Sequence, residues 1–125
     1  MKKVIYTNKA PDPVGPYNQA IFSNNTLYIS GQVALDAKSG KMINKSLKDE
    51  TNQVMNNLKA ILKEVGFNFN NVIKSTIYLT DMDNFNEVNK IYASFFDGEN
   101  VPARVTVEVS RLPKDAKVEI DMIAS

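Results

Sequence analysis

Two residues near the C-terminal end, Arg104 and Glu119, have the side chains that a site for a small acid needs. The segment from Asn100 to Ile120 holds both arginines of the chain, Arg104 and Arg111, whereas the whole chain has thirteen lysines. A guanidinium is a planar fork of donors that pairs with a carboxylate through two hydrogen bonds, which lysine cannot copy. A fixed cation with a nearby carboxylate suits an anionic substrate that must meet water. The alternative is two surface charges on a hairpin, because most exposed strand charges face solvent.

The residue types that are missing exclude several kinds of catalytic site. The chain has no histidine, cysteine or tryptophan. Serine triads, His-assisted thiol chemistry and the usual zinc sites all need residues that it lacks. Acid–base chemistry therefore falls to Asp, Glu, Tyr, Lys or bound water. A carboxylate site for Mg²⁺ stays open, but Asp81 and Asp83 are better interpreted as turn and helix-start residues. We expect neither a metal nor a cofactor.

Length and charge set the class of protein and its partners. The chain has 125 residues, which predicts a single domain spanning residues 1–125. Its formal net charge is +1, so nothing indicates nucleic acid or an acidic membrane surface as a partner. No apolar run approaches the ~20 residues of a membrane span, and the N-terminus lacks the apolar core of a signal peptide. The cytoplasm is the expected location.

The first part of the chain reads as short strands around a proline-rich loop. Pro11, Pro13, Gly15 and Pro16 exclude helix and central strand, so this segment must be an ordered loop that delivers Tyr17. Asn24-Asn25 tolerates positive φ, which favours a hairpin, and Gly31 at a strand end allows close approach of a backbone or ligand. The predicted strands are Val4–Thr7, Ala20–Ser23 and Thr26–Ser30, with Val33–Leu35 as an extension of the third.

The remainder predicts two helices and three strands. Apolar residues at helical spacing indicate a helix over Leu47–Val65, begun by Ser46 and ended at Gly66. A second helix is predicted over roughly Asn84–Phe96, with Asp83 as its N-cap. Alternating or continuous apolar runs predict strands at Val72–Leu79, Arg104–Arg111 and Lys117–Ile123, and the turn LPKDA joins the last two.

The resulting order, β-β-β-α-β-α-β-β, indicates an α+β fold with one mixed six-stranded sheet and two helices on one face. Each amphipathic helix buries one side, so the other sheet face is left uncovered. In a chain this small, an apolar sheet face is most easily hidden by other copies of the chain. We therefore expect an oligomer.

Several separate motifs in order resemble the RidA family, also called the YjgF or L-PSP endoribonuclease-like family. They are GPYNQA (15–20), LYISGQ (27–32), QVMNNLKAIL (53–62), YLTDMDNFNEVNKIYASFF (78–96), and PARVTVEV, LPKD and VEI near the C-terminus. The resemblance covers nearly the whole chain. It implies a chorismate-mutase-like fold in which three subunits join their sheets into a barrel, with a ligand cleft at each subunit interface.

The resemblance also implies an activity and a set of site residues. Motif-bearing members hydrolyse 2-imino acids, such as 2-iminobutanoate and 2-iminopropanoate, and their enamine tautomers, to 2-keto acids and ammonia, which limits metabolite damage. Arg104 matches the arginine that grips the substrate carboxylate, and Glu119 matches the glutamate near the attacking water. The other positions that match the cleft are Tyr17, predicted to act in catalysis, and Ser30, Gly31, Asn89 and Thr106, predicted to bind substrate. Thr106 stands where some members have cysteine.

Two other functions remain open at this point. Some relatives are described as RNA-cleaving translation inhibitors, but the charge of +1 and the absence of histidine argue against that activity. The chain could also bind keto or amino acids as a non-catalytic regulator. Binding of 2-ketobutyrate without imine hydrolysis would favour this reading.

Overall fold

The chain forms one mixed sheet with two α-helices, as the sequence predicts. The computed structural model covers residues 1–125. The strands are β1 (Lys3–Ile5), β2 (Ala20–Ser23), β3 (Thr26–Gln32), β4 (Val72–Leu79), β5 (Ala103–Glu108) and β6 (Val118–Ala124), and the helices are α1 (Leu47–Glu64) and α2 (Phe85–Ala93). The strands lie in the order β1-β2-β3-β6-β4-β5, and only the β4–β5 pair is parallel.

The β2–β3 hairpin turns at the two asparagines, as predicted. Asn24 and Asn25 have φ of 50° and 60°, a region that asparagine tolerates better than most residues. The predicted extension of β3 over Val33–Leu35 is wrong. The strand ends at Gln32, and Leu35 makes only an isolated bridge with Met42.

Helix α1 is almost as predicted and ends one residue earlier, at Glu64. The Ser46 side chain accepts a hydrogen bond from the backbone N–H of Asp49 at 3.0 Å, which satisfies a donor in the first turn. Gly66 follows the helix at φ 77°, where a side chain would be strained. The prediction for this helix is therefore confirmed together with both of its boundary signals.

Helix α2 is shorter than the predicted segment 84–96. A 3₁₀ turn at Met82–Asn84 precedes it, and the side chain of Asp81 accepts from the N–H of Asp83 at 2.9 Å. The prediction of Asp83 as the N-cap is wrong, because Asp81 caps the 3₁₀ turn and Asn84 precedes α2 without a side-chain cap. After Ala93 the chain leaves the helix, and Phe95 and Phe96 pack edge-on against Phe69.

The last two strands are not neighbours. Strand β4 lies between them, with Ser75 aligned to Arg104 of β5 and Tyr78 aligned to Glu119 of β6. A right-handed crossover through α2 is the usual way to connect the parallel pair β4 and β5. The hairpin reading of Arg104 and Glu119 is therefore wrong, since the turn after β5 carries the chain across β4.

The two faces of the sheet differ in cover. Val118, Ile120 and Met122 of β6 are buried beneath α1, so the alternation of a strand directs Glu119 to the opposite face. That opposite face leaves large apolar side chains in solvent, with Tyr28 49%, Val105 44% and Val107 36% exposed. Neither helix has the length and apolar character needed to cross a membrane.

Candidate active site

A cavity of about 340 Å³ lies beneath the proline-rich loop and contains Glu119. We call it the Glu119 cavity. Three irregular segments and the end of β3 form its walls. Its lining residues are Pro11, Asp12, Pro13, Val14, Tyr17, Gln19, Ser30, Gly31, Gln32, Val33, Leu35, Pro113, Lys114 and Glu119. Four of the seven predicted site residues are thus together, namely Tyr17, Ser30, Gly31 and Glu119.

Gly31 leaves the space that the Glu119 carboxylate fills. A Cβ atom at position 31 would overlap the Oε2 atom of Glu119. The pairing of β3 with β6 is irregular between Ile29 and Gln32, which brings these two residues into this close approach. The sequence predicted a close approach at Gly31, and the group that approaches is the Glu119 side chain.

The surroundings of Glu119 make it a stronger base than a free glutamate. Burial raises the pKa of its carboxyl group, and the negative charge of Asp121 raises it further. Asp121 lies two residues along β6 on the same face, and the hydroxyl of Tyr78 donates to its Oδ2 atom at 3.1 Å. A carboxylate with a raised pKa binds a proton more readily, which suits general-base chemistry.

Tyr17 is held by its own loop in the way the prolines suggest. Its N–H donates to the carbonyl of Gly15 at 2.9 Å. Its hydroxyl accepts from the N–H of Val14 at 3.3 Å, which leaves the phenolic proton free to donate. The side chain is 45% exposed at the wall of the cavity.

Ser30 uses its hydroxyl proton inside the protein. Its Oγ donates to the carbonyl of Asn18 at 2.6 Å, and its N–H donates to the carbonyl of Gln19 at 2.9 Å. The hydroxyl oxygen keeps lone pairs and can therefore accept a hydrogen bond from a ligand.

Arg104 lies on the other face of the sheet, beside α2. Its guanidinium carbon is 5.1 Å from the ring centre of Tyr92 and 5.7 Å from that of Phe85. It lines a shallow pocket of about 290 Å³ with Asn89, which we call the Arg104 pocket. The single salt bridge joins the other arginine, Arg111, to Asp115 at 2.9 Å. No carboxylate therefore neutralises Arg104, and its guanidinium instead contacts the two aromatic rings.

Thr106 follows Arg104 on the same face of β5. Its Oγ1 atom is buried and has no hydrogen-bond partner. Buried hydroxyls are usually satisfied, so this one is unusual. Two residues further on, the Glu108 carboxylate accepts from the N–H of Met82 at 2.7 Å, which ties β5 to the turn before α2.

One protomer thus does not bring all the predicted site residues together. Tyr17, Ser30, Gly31 and Glu119 share the Glu119 cavity, whereas Asn89 and Arg104 line the Arg104 pocket. Strand β4 separates the two groups, and their side chains leave opposite faces of the sheet. The expectation that Arg104 lies beside Glu119 is not met within a single chain.

Sequence reasoning missed five residues that shape the cavity or its carboxylate. Asp121 could have been found, because period-two alternation places it on the same face as Glu119. Glu50 and Asn57 also had a signal, since they are polar residues on the apolar side of α1 and only 1% exposed. The buried amide of Gln19 and the position of Lys114 at the cavity wall had none. Both depend on tertiary contacts.

Comparison with known proteins gives similarity along the whole chain. A family model described as Endoribonuclease L-PSP matches residues 7–125. A RutC family protein of Pyrococcus horikoshii is 53% identical over 124 residues, which cover 99% of this chain and 98% of that protein. The mouse protein named 2-iminobutanoate/2-iminopropanoate deaminase is 47% identical over 124 residues, covering 99% and 91%. The crystal structure of YyfA from Yersinia pestis, of the conserved Rid protein family, has a TM-score of 0.96 at 44% identity and covers 100% of this chain and 99% of that one.

Proposed function

Because this chain belongs to the endoribonuclease L-PSP (Rid) family, we propose that it is a hydrolytic deaminase of reactive 2-imino acids. Its substrates are 2-iminobutanoate, 2-iminopropanoate and their enamine tautomers, and its products are 2-keto acids and ammonia. A relative 47% identical to this chain is named for that activity. The observation that carries the proposal is the division of the predicted site into an anion-binding half and a base-bearing half.

The two halves are complementary when two copies of the chain meet. Arg104 has no carboxylate partner, and Glu119 lies in a cavity that holds no arginine. Large apolar side chains, Tyr28, Val105 and Val107, are exposed on the uncovered sheet face. Burying that face against other subunits would remove apolar area from water. We place the active site at an interface of a homotrimer, with Arg104 from one protomer and Glu119 from the next.

The reaction depends more on the positioning of the substrate and the attacking water than on a metal or a strong nucleophile. Protonation makes the imine carbon electrophilic, so a water can attack without a metal. Water adds to the carbon of the C=N bond, a proton passes to nitrogen, and ammonia leaves as the C=O bond forms. Orientation of the two reactants can contribute several kcal/mol to such a step, on the order of 7 or more in the best cases.

Each residue then has a defined task. Arg104 binds the substrate carboxylate through two hydrogen bonds, Asn89 lines that end of the site, and Thr106 follows Arg104 on the same face of β5. Glu119 accepts a proton from the attacking water, helped by its raised pKa. The phenolic O–H of Tyr17 donates a hydrogen bond to the substrate, while the Ser30 oxygen accepts one from the iminium N–H. Gly31 has no side chain and therefore leaves room for the Glu119 carboxylate.

The first test follows keto-acid release when the protein is coupled to threonine dehydratase. We expect the wild-type protein to accelerate hydrolysis over buffer, and Arg104→Ala to abolish the acceleration. Full activity of Arg104→Ala would contradict the proposal. Binding of 2-ketobutyrate with no acceleration would instead support a non-catalytic binding role, and salt-sensitive RNA cleavage lost in the same variant would support a ribonuclease.

The second test asks whether two protomers share one site. Arg104→Ala and Glu119→Gln chains are each assayed alone and after co-refolding in equal amounts. If each site takes its arginine and its glutamate from different subunits, about half of the sites have Arg104 and about half have Glu119. About a quarter of the sites then have both, so about a quarter of wild-type activity returns. A mixture as inactive as its components, with mixed oligomers shown by mass spectrometry, would contradict a site that takes Arg104 and Glu119 from different subunits.

A further inference from the structure

Three wall segments of the Glu119 cavity lie outside the α-helices and β-strands. They are the proline-rich segment 11–17, the segment 33–35 after β3, and the turn 113–117 before β6. Backbone of this kind lacks the regular hydrogen bonds that hold a strand or helix in place. Nevertheless, a buried polar side chain forms hydrogen bonds with the backbone of each segment.

Gln19 fastens the first wall. The side chain is 2% exposed. Its Oε1 accepts from the N–H of Thr7 at 2.8 Å, and its Nε2 donates to the carbonyls of Thr7, Ala10 and Pro11 at 3.0, 3.3 and 2.9 Å. Both ends of the amide are satisfied by backbone alone. One side chain thereby closes the base of the loop that carries Tyr17.

Asn57 fastens the second wall from α1. Its side chain is 1% exposed, and its Nδ2 donates to the carbonyls of Val33 and Leu35 at 3.1 and 3.0 Å. Gln53, one turn earlier, donates to the Oδ1 of Asn57 at 2.8 Å and fixes which way the amide faces. The segment after β3 is held to the helix although it is not a strand.

Glu50 fastens the third wall from the first turns of the same helix. It is 1% exposed, and its Oε2 accepts from the N–H groups of Lys117 and Val118 at 2.7 and 3.3 Å. These are the last residues before Glu119. The buried carboxylate therefore sets where β6 begins and where its catalytic glutamate emerges.

We propose that Gln19, Asn57 and Glu50 are positioning residues that hold the three walls of the Glu119 cavity in the shape that binds substrate. None of them needs to touch the reacting atoms. The expected effect of this positioning role on turnover rests on the proposed imine hydrolysis, whereas its expected effect on the shape of the cavity does not. If the three residues contributed only to the stability of the fold, their substitution would slow no particular step of the reaction. Because they hold different parts of the site, we expect their variants to affect different steps.

Variants of the three residues should therefore differ in which kinetic parameter they change. Asn57 holds a wall without a reacting group, so Asn57→Asp should raise KM about tenfold and leave kcat within about twofold. Glu50 holds the strand of Glu119, so Glu50→Leu should lower kcat about tenfold or more, because small misplacements of a reacting group are costly. Glu50→Gln keeps an acceptor oxygen and should recover most of that loss.

Gln19→Glu keeps the acceptor for Thr7 but loses the amide donors, so it should release the proline-rich loop. Gln19→Met, which cannot place a charge there, serves if the first variant does not fold. We expect faster amide hydrogen exchange confined to residues 8–18, and about tenfold weaker binding of 2-ketobutyrate. Leu62→Ala is the matched control, because it destabilises the core through α1 and removes no hydrogen bond to a wall segment.

Two results would overturn the inference. One is an exchange increase spread over the whole chain in the Gln19 and Asn57 variants, as in Leu62→Ala. The other is unchanged exchange in the wall segments of folded variants. If the wild-type protein hydrolyses no imine, the proposed function fails, while the exchange of the three segments still decides whether the walls depend on these side chains.

Discussion

The Glu119 cavity and the Arg104 pocket lie on opposite faces of one sheet and are built in different ways. The cavity contains the carboxylate, and buried polar side chains fasten its walls. The Arg104 pocket is shallow and lies along an edge strand, where two aromatic rings support a single cation. A base needs a partly dry environment to raise its pKa, whereas a guanidinium stays charged anywhere. The fold therefore partly buries the carboxylate and leaves the arginine near the surface, where a second subunit can reach it.

The difference also indicates how each half responds to mutation. A change in the cavity moves neighbouring walls and can displace Glu119 without unfolding the chain. A change in the Arg104 pocket removes one interaction and leaves its surroundings in place.

Gly31→Ala should reduce kcat/KM about a hundredfold, because the new Cβ takes the space of the Glu119 carboxylate and displaces it. The end of that side chain is flexible, so Tm should change little. Gly66→Ala is the contrasting variant, with φ of 77° and no atom near its Cβ. It should lower Tm and leave kcat/KM unchanged. Equal activity of the two variants would show that the close approach at Gly31 has no functional role.

Arg104→Lys should raise KM about tenfold to a hundredfold, since lysine loses the two-point grip on a carboxylate and the stacking on Tyr92 and Phe85. The matched control is Arg111→Lys, at an exposed position paired with Asp115. It should behave as wild type in the same steady-state assay. A wild-type KM for Arg104→Lys would mean that charge alone is enough in the Arg104 pocket.

Asp121→Asn should extend activity to lower pH. The charge of Asp121 raises the pKa of Glu119, so its removal lowers that pKa and keeps the base ionised in more acidic solution. The measurement is the acid limb of kcat/KM against pH. Asp83→Asn, an exposed change outside the cavity, should leave the limb in place, and a limb that moves equally in both variants would exclude Asp121 as the cause.

Glu119→Gln should raise Tm slightly at neutral pH, by no more than about a few degrees. The pKa of Glu119 is higher in the folded chain than in the unfolded chain. Between these two values the folded state binds more protons, so stability falls as pH rises through that window. Glutamine removes the buried charge and its penalty. The difference from wild type should vanish in acid below both values, and Glu99→Gln on the surface should show no such pH-dependent gain.

Most of the fold was predictable because its signals are local. The β2–β3 turn follows from two asparagines that accept positive φ, and α1 follows from its apolar stripe with Ser46 and Gly66 at its ends. The errors lie where tertiary contacts override a local pattern. Val33–Leu35 has strand-like residues, but Asn57 ties its backbone to α1 instead of to a neighbouring strand.

The candidate site was predictable as a set of residues and not as an arrangement. Family resemblance pointed to Arg104 and Glu119, and alternation along their strands could assign each a side of its own strand. The register across the sheet decides which sides coincide. Arg104 aligns with Ser75 of β4 and Glu119 aligns with Tyr78, and because these two positions are three residues apart on one strand, they face opposite sides of the sheet.

By itself the sequence determined the residue types that can act here: two guanidinium groups, several carboxylates, and no histidine or cysteine. It also indicated most of the strands and helices, because periodicity and turn residues are properties of short segments. Only the tertiary structure decided that Glu119 lies in a partly dry cavity over Gly31 and that Arg104 points away from it. Burial, pKa and the facing of side chains depend on groups far apart in the chain, which meet only when the sheet is assembled.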